Sequence, residues 1–152
     1  MGRVAPSSLP RSILVVISGV CRGPRGPGGW GYVACLPTGV EREGNGAAPE
    51  TTANRMELQA VIEGLRAIRG KERSLPVRVV SASQYVVEGA KGKRERKANQ
   101  DLWEKLDAEL GDRAVTWEWE PPHTMHYQSQ AYDLACQALR HALKTMPATE
   151  RP

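Results

Sequence analysis

Thr51-Thr52-Ala53-Asn54-Arg55-Met56-Glu57-Leu58 marks the point where an extended chain turns into a helix. Thr51 and Thr52 suit a helix start, because a hydroxyl oxygen can accept from the unpaired N–H groups of the first turn. Leu58, Val61, Ile62, Leu65 and Ile68 then recur at the helical period, and Gly70 is placed to end the helix in a left-handed cap.

Working back from this helix, Ile13 to Val20 is rich in β-branched residues and reads as a mostly buried strand. The Gly- and Pro-rich run Arg22 to Gly29 reads as a turn. Trp30 to Leu36 follows as a second strand, and Val40 to Gly44 as a third in a meander. Working forward, Pro76 to Ser81 is a short β-branched strand, followed by a brief helix over Ser83 to Gly89. A helix containing Leu102, Trp103, Leu106 and Leu110 precedes a last strand, Val115 to Trp119, which Pro121 and Pro122 forbid from continuing. A final helix from about Ser129 to Met146 shows Tyr132, Ala135, Cys136, Leu139 and Leu143 as its apolar positions. This order predicts one mixed α/β domain over residues 12–146, with flexible tails at 1–11 and 147–152.

The 152 residues carry 21 Lys and Arg against 17 Asp and Glu, a net charge of +4. The excess has an address: Lys91, Lys93, Arg94, Arg96 and Lys97 surround one Glu95, and the rest of the chain balances. A uniformly basic protein is excluded, so a nucleic-acid partner would have to be met by that segment together with the fold. No stretch has the roughly 18–20 apolar residues of a membrane span. The apolar run before Cys21 is too short for an export signal, and Val20 is too large for a lipoprotein cleavage site. The three cysteines show no CxxC spacing, which fits a reducing, cytoplasmic setting.

Five segments in order resemble the type 1 ribonucleases H: Gly26-Pro27-Gly28-Gly29-Trp30-Gly31-Tyr32, Thr51 to Leu58, Ser83-Gln84-Tyr85-Val86-Val87-Glu88-Gly89, Asn99-Gln100-Asp101-Leu102-Trp103 and Val115-Thr116-Trp117-Glu118-Trp119. The resemblance implies a ribonuclease H-like fold, a five-stranded mixed sheet flanked by helices. It also implies the family's chemistry, cleavage of the RNA strand of an RNA–DNA hybrid by two divalent ions held on converging carboxylates.

Carried onto this chain, the four carboxylate positions are Ser18, Glu57, Ala82 and Asp133. Two of the four are therefore not acids, and no Asp or Glu occurs before Glu41 to replace the one at Ser18. The expectation is a degenerate metal site without family-type nuclease activity and with no cofactor. Mg²⁺ or Mn²⁺ enters only if residual hybrid cleavage survives, with Glu57 and Asp133 as a weak ion-holding pair. His123 matches the family's loop histidine, but the glycines beside it are gone, which predicts a stiffer loop.

Thr52, Asn54 and Gln84 match family positions that contact phosphate or the minor groove, although Thr51 and Thr52 serve equally as helix caps. Lys91, Lys93, Arg94, Arg96 and Lys97 occupy the place of a longer basic handle that grips the hybrid in other members, and read alternatively as a solvated connection. Trp103, Trp117 and Trp119 read as core and sheet packing. The leading expectation is a pseudoenzyme that binds RNA–DNA hybrid or another duplex. The alternative is a repurposed pocket in which Ser18, Cys21, Glu57, His123, His126, Tyr127 and Asp133 converge for acid/base work or a small ligand. No membrane association is expected, and no protein partner is identifiable.

Overall fold

The β-branched run of the first segment forms β1 (Ile13–Cys21), the central strand of a five-stranded sheet in the computed structural model, which describes residues 11–147. The predicted tails lie outside the described residues, apart from Arg11 and Pro147. β2 (Gly26–Cys35) and β3 (Glu41–Thr51) follow as an antiparallel meander. α1 (Ala53–Arg66) then crosses over to β4 (Val77–Ser81), which pairs parallel with β1. α2 (Gln84–Ala90) and α3 (Gln100–Leu110) lead to β5 (Val115–Trp119), parallel to β4, and α4 (His126–Thr145) ends the fold. The sheet order is β3-β2-β1-β4-β5.

Alternation along β1 divides the core. Ile13, Val15 and Ile17 join Leu58, Val61, Ile62 and Leu65 of α1 and Leu102, Trp103 and Leu106 of α3 in the main cluster. On the other face α4 lies across β1, β2 and β3, with Val33 packed on Ala131 and Leu134. Close packing there depends on Gly31, where an added Cβ would lie 2.5 Å from the Ala131 carbonyl oxygen. Among the described residues, no helix is long and apolar enough to cross a membrane, and the three cysteines are free thiols.

Four boundaries differ from the sequence reading by more than one residue. β2 begins at Gly26, so half of the expected turn is strand. β3 runs on to Thr51 rather than stopping at Gly44. Its Gly44 and Gly46 pair with Tyr32 and Trp30, whose stacked rings lie where Cβ atoms would be. α1 ends at Arg66, and Gly70 takes its left-handed φ of 60° only after the chain has left the helix. α4 starts at His126, because the Gln128 side chain accepts from the Thr124 and Met125 N–H groups in place of a Ser or Thr cap. Its buried stripe is Ala131, Leu134, Ala135, Ala138 and Leu139; Tyr132 is 41% exposed instead of packed.

Candidate functional site

Thr52 caps α1 by accepting from the Arg55 N–H at 3.2 Å, and this places Glu57 in the second turn of the helix, facing the ends of β1 and β4. The carboxyl bridges both strands. Gly19 N–H donates to Glu57 Oε1 at 2.7 Å, and the Ser81 hydroxyl donates to Oε2 at 3.3 Å. Burial pushes the Glu57 carboxyl up to about 7, while these two hydrogen bonds pull the other way.

Around it lies a cavity of about 40 Å³, bounded by Ile17, Ser18, Ala82, Pro122, His123, Gln128 and Tyr132. That is space for about one water molecule. Ser18 and Ala82 thus meet Glu57 in one place, as the resemblance implies. Asp133 does not line this cavity; it is exposed and lies along a neighbouring groove with Glu43, His126, Ser129 and Gln130.

His123 is pinned. Its backbone has a left-handed φ of 60°, tolerated by His better than by β-branched residues. Nδ1 lies 3.3 Å from Ser129 Oγ, and the ring meets Tyr132 edge-on with centroids 5.2 Å apart. The seven residues of the repurposed-pocket reading are spread over several places. Ser18, Glu57 and His123 share the cavity, and His126 and Asp133 share the groove. Cys21 Sγ instead faces the Thr51 carbonyl at 3.3 Å, and the Tyr127 hydroxyl donates to Glu41 at 2.9 Å.

β3 and β4 run in the same direction and are followed by α1 and α2, so the starts of both helices lie at one end of the sheet. Asn54 and Gln84 are exposed there, and Thr52 is half-buried with its oxygen already used as the cap. The basic segment divides in two. Arg94 pairs with Glu88 at 2.9 Å and lies over the Tyr85 ring. Arg96 pairs with Asp107 at 2.7 Å, donates to the Gly89 carbonyl and lies 4.1 Å over the Trp103 ring. Lys91, Lys93 and Lys97 are exposed and make no ion pair among the described residues.

Sequence reasoning misses Ser81, Tyr132 and Gln128. Ser81 is detectable as a polar residue ending a buried strand, whereas the apolar pattern of α4 assigns Tyr132 to the wrong helix stripe. Trp119, read as packing, is 41% exposed, with its indole N–H donating to the Ala82 carbonyl at 3.0 Å.

The family model described as RNase H matches residues 10–141. A ribonuclease H of Pseudomonas fluorescens is 36% identical over 135 residues, which cover 80% of this chain and 87% of the relative. The N-terminal RNase H domain of a Mycobacterium tuberculosis protein superposes with a TM-score of 0.78 at 26% identity, covering 89% of this chain and 98% of that domain. LC11-RNase H1, solved in complex with RNA/DNA hybrid, gives the same TM-score of 0.78 at 24% identity, over 86% of this chain and 99% of that one. With the matched span, the strand order and the position of Glu57 all in agreement, the chain belongs to the type 1 ribonuclease H family.

Proposed function

We propose that this protein binds RNA–DNA hybrid as a ribonuclease H module that no longer hydrolyses it. The observation that carries the reading is the surrounding of Glu57. Two hard divalent ions about 4 Å apart need several converging carboxylates. The cavity supplies one, whose pKa burial raises, beside a serine hydroxyl, an alanine methyl and the rings of Pro122, His123 and Tyr132. These residues do not fit such an ion pair.

The binding half of the proposal draws on the hybrid-bound LC11-RNase H1 neighbour and on Asn54, Gln84 and the exposed lysines near the same end of the sheet. Phosphate neutralisation by exposed lysines gives salt-sensitive affinity without sequence preference.

The test pairs two assays on the full chain. Fluorescence anisotropy should give salt-dependent, micromolar or tighter binding to hybrid, and incubation with Mg²⁺ or Mn²⁺ should leave the RNA strand intact. The Ser18→Asp/Ala82→Asp variant should then gain metal-dependent cleavage. Cleavage by the parent protein overturns the loss of hydrolysis; absence of hybrid binding overturns the binding reading.

A further inference from the structure

Trp119 is fixed and yet open. The hydrogen bond to the Ala82 carbonyl sets the ring orientation, and 41% of the residue faces solvent. It lines a depression of about 220 Å³ between α2 and β5, together with Gln84, Val87, Glu88, Lys91 and Lys93. Gln84, Glu88 and Lys91 follow one another at the spacing of a single helix face.

Glu88, which lines this depression, and Glu118 beside it already have partners. Glu88 holds Arg94, and Glu118 at the adjoining strand end holds Arg78 through bonds of 2.8 and 2.9 Å. Lys91 and Lys93 are left at the rim with no ion pair among the described residues. An oriented indole face flanked by two ammonium groups and an amide matches the chemistry of single-stranded nucleic acid, in which bases stack on aromatic rings and lysines track the phosphates. The volume is below the roughly 300 Å³ at which drug-sized pockets begin, so it suits one planar ring. A base inside a duplex is already stacked on its neighbours and cannot reach the indole.

We infer that this depression receives one unpaired nucleotide of a strand running past the end of a bound duplex, with the base on Trp119 and its phosphates on Lys91 and Lys93. The inference rests on the hybrid-binding reading for its context, since the Ala82 carbonyl that holds Trp119 belongs to a residue bounding the Glu57 cavity.

The experiment measures anisotropy with the full chain on three ligands: a blunt hybrid, the same hybrid with a short single-stranded extension at either end, and the single strand alone. One extension should tighten binding about thirtyfold, the middle of the range for stacking one base on an aromatic side chain. Trp119→Ala should bring the extended-to-blunt ratio to about one, and Trp119→Phe should keep most of it. Lys91→Gln/Lys93→Gln, a surface change that leaves the indole in place, should lower the ratio as well. A ratio of one in the parent, or a ratio unaffected by Trp119→Ala, overturns the inference while blunt binding upholds the hybrid reading. Binding of the single strand alone that depends on Trp119, without blunt binding, overturns the hybrid reading and with it the placement of the nucleotide at a duplex end. Binding to none of the three overturns both.

Discussion

The Gly19 N–H and the Glu57 carboxyl, 2.7 Å apart, join the central strand to the helix that crosses it. An added Cβ at Gly19 would lie 2.4 Å from the Glu57 backbone nitrogen, so strand and helix touch at this point. Stability thereby becomes pH-dependent in a specified direction. Glu57 titrates near 4.5 in the unfolded chain and is pushed up to about 7 in the folded protein, chiefly by burial. Between those values the folded protein keeps a proton that the unfolded chain has released. The contribution is therefore full below about pH 4.5 and declines as pH rises through about 7. Urea denaturation should show a decrease of about 2 kcal/mol between pH 5 and pH 8 from this group. Glu57→Gln, neutral throughout, should remove that slope and match or exceed the parent at pH 8. An identical slope in both proteins would show that Glu57 ionises freely.

Gly31 is another place where backbone approaches backbone. A Cβ there would meet the Ala131 carbonyl oxygen at 2.5 Å and the Ala135 nitrogen at 2.9 Å, and neither belongs to a side chain that can swing away. Gly31→Ala should lift α4 from the sheet and cost about 2–3 kcal/mol, the usual penalty for overpacking. The change should appear as a lower urea midpoint with little change in slope. A midpoint equal to the parent's would mean that α4 settles without cost at a greater distance.

Arg113 is almost completely covered, with 1% of its side chain exposed, and burial pushes its pKa down from the usual guanidinium value. It donates to the Glu109 carbonyl at 2.9 Å, the Ile68 carbonyl at 3.2 Å and the Glu109 carboxylate at 3.3 Å. Removing one partner of a fully buried pair costs about 3–5 kcal/mol. Glu109 is part-exposed and retains Arg66 at 3.5 Å, so Arg113→Met should cost less, about 2 kcal/mol by denaturant titration. A neutral outcome would mean that the Ile68 carbonyl finds water in place of the guanidinium.

The parts of this fold that are legible in the sequence are those where burial and backbone preference agree. β1, β4 and the apolar stripe of α1 read directly from their β-branched and leucine spacing. β3 reads too short because Gly44, Gly46 and Pro49 are poor strand formers; the Tyr32 and Trp30 rings that cover the two glycines come from the neighbouring strand. The α4 stripe misleads for a related reason. Small Ala131, Ala135 and Ala138 face the sheet, so the bulkier Tyr132 is displaced to the cavity. Of the site, the meeting of Ser18, Glu57 and Ala82 is legible through the family resemblance. The exposure of Trp119 is not, because it shares a strand face with the buried Trp117 and differs only in lying at the end of β5, which alternation does not report.

The basic segment gives a prediction in which two halves of one charge run behave differently. Arg96 is committed to Asp107, to the Gly89 carbonyl and to the Trp103 ring, and Arg94 to Glu88 and the Tyr85 ring. Their charges are balanced by neighbouring acids before any ligand arrives. Lys91, Lys93 and Lys97 are exposed and free of ion pairs among the described residues, so counterion release on binding should come from them. Each lysine withdrawn from a phosphate lowers the slope of log K against log salt by about one. Lys91→Gln/Lys93→Gln/Lys97→Gln should therefore reduce the slope for hybrid carrying a single-stranded extension by about 2–3 and leave the thermal midpoint near the parent's. Arg96→Gln should change the slope by less than about one while lowering stability by about 1–2 kcal/mol, because the guanidinium no longer covers the Trp103 ring or donates to Asp107 and Gly89. Salt titrations of affinity beside thermal melts separate the two effects. If Arg96→Gln flattened the slope as strongly as the triple lysine variant, the guanidinium would have to leave Asp107 for phosphate, and the division of the segment into a structural and a binding half would fail.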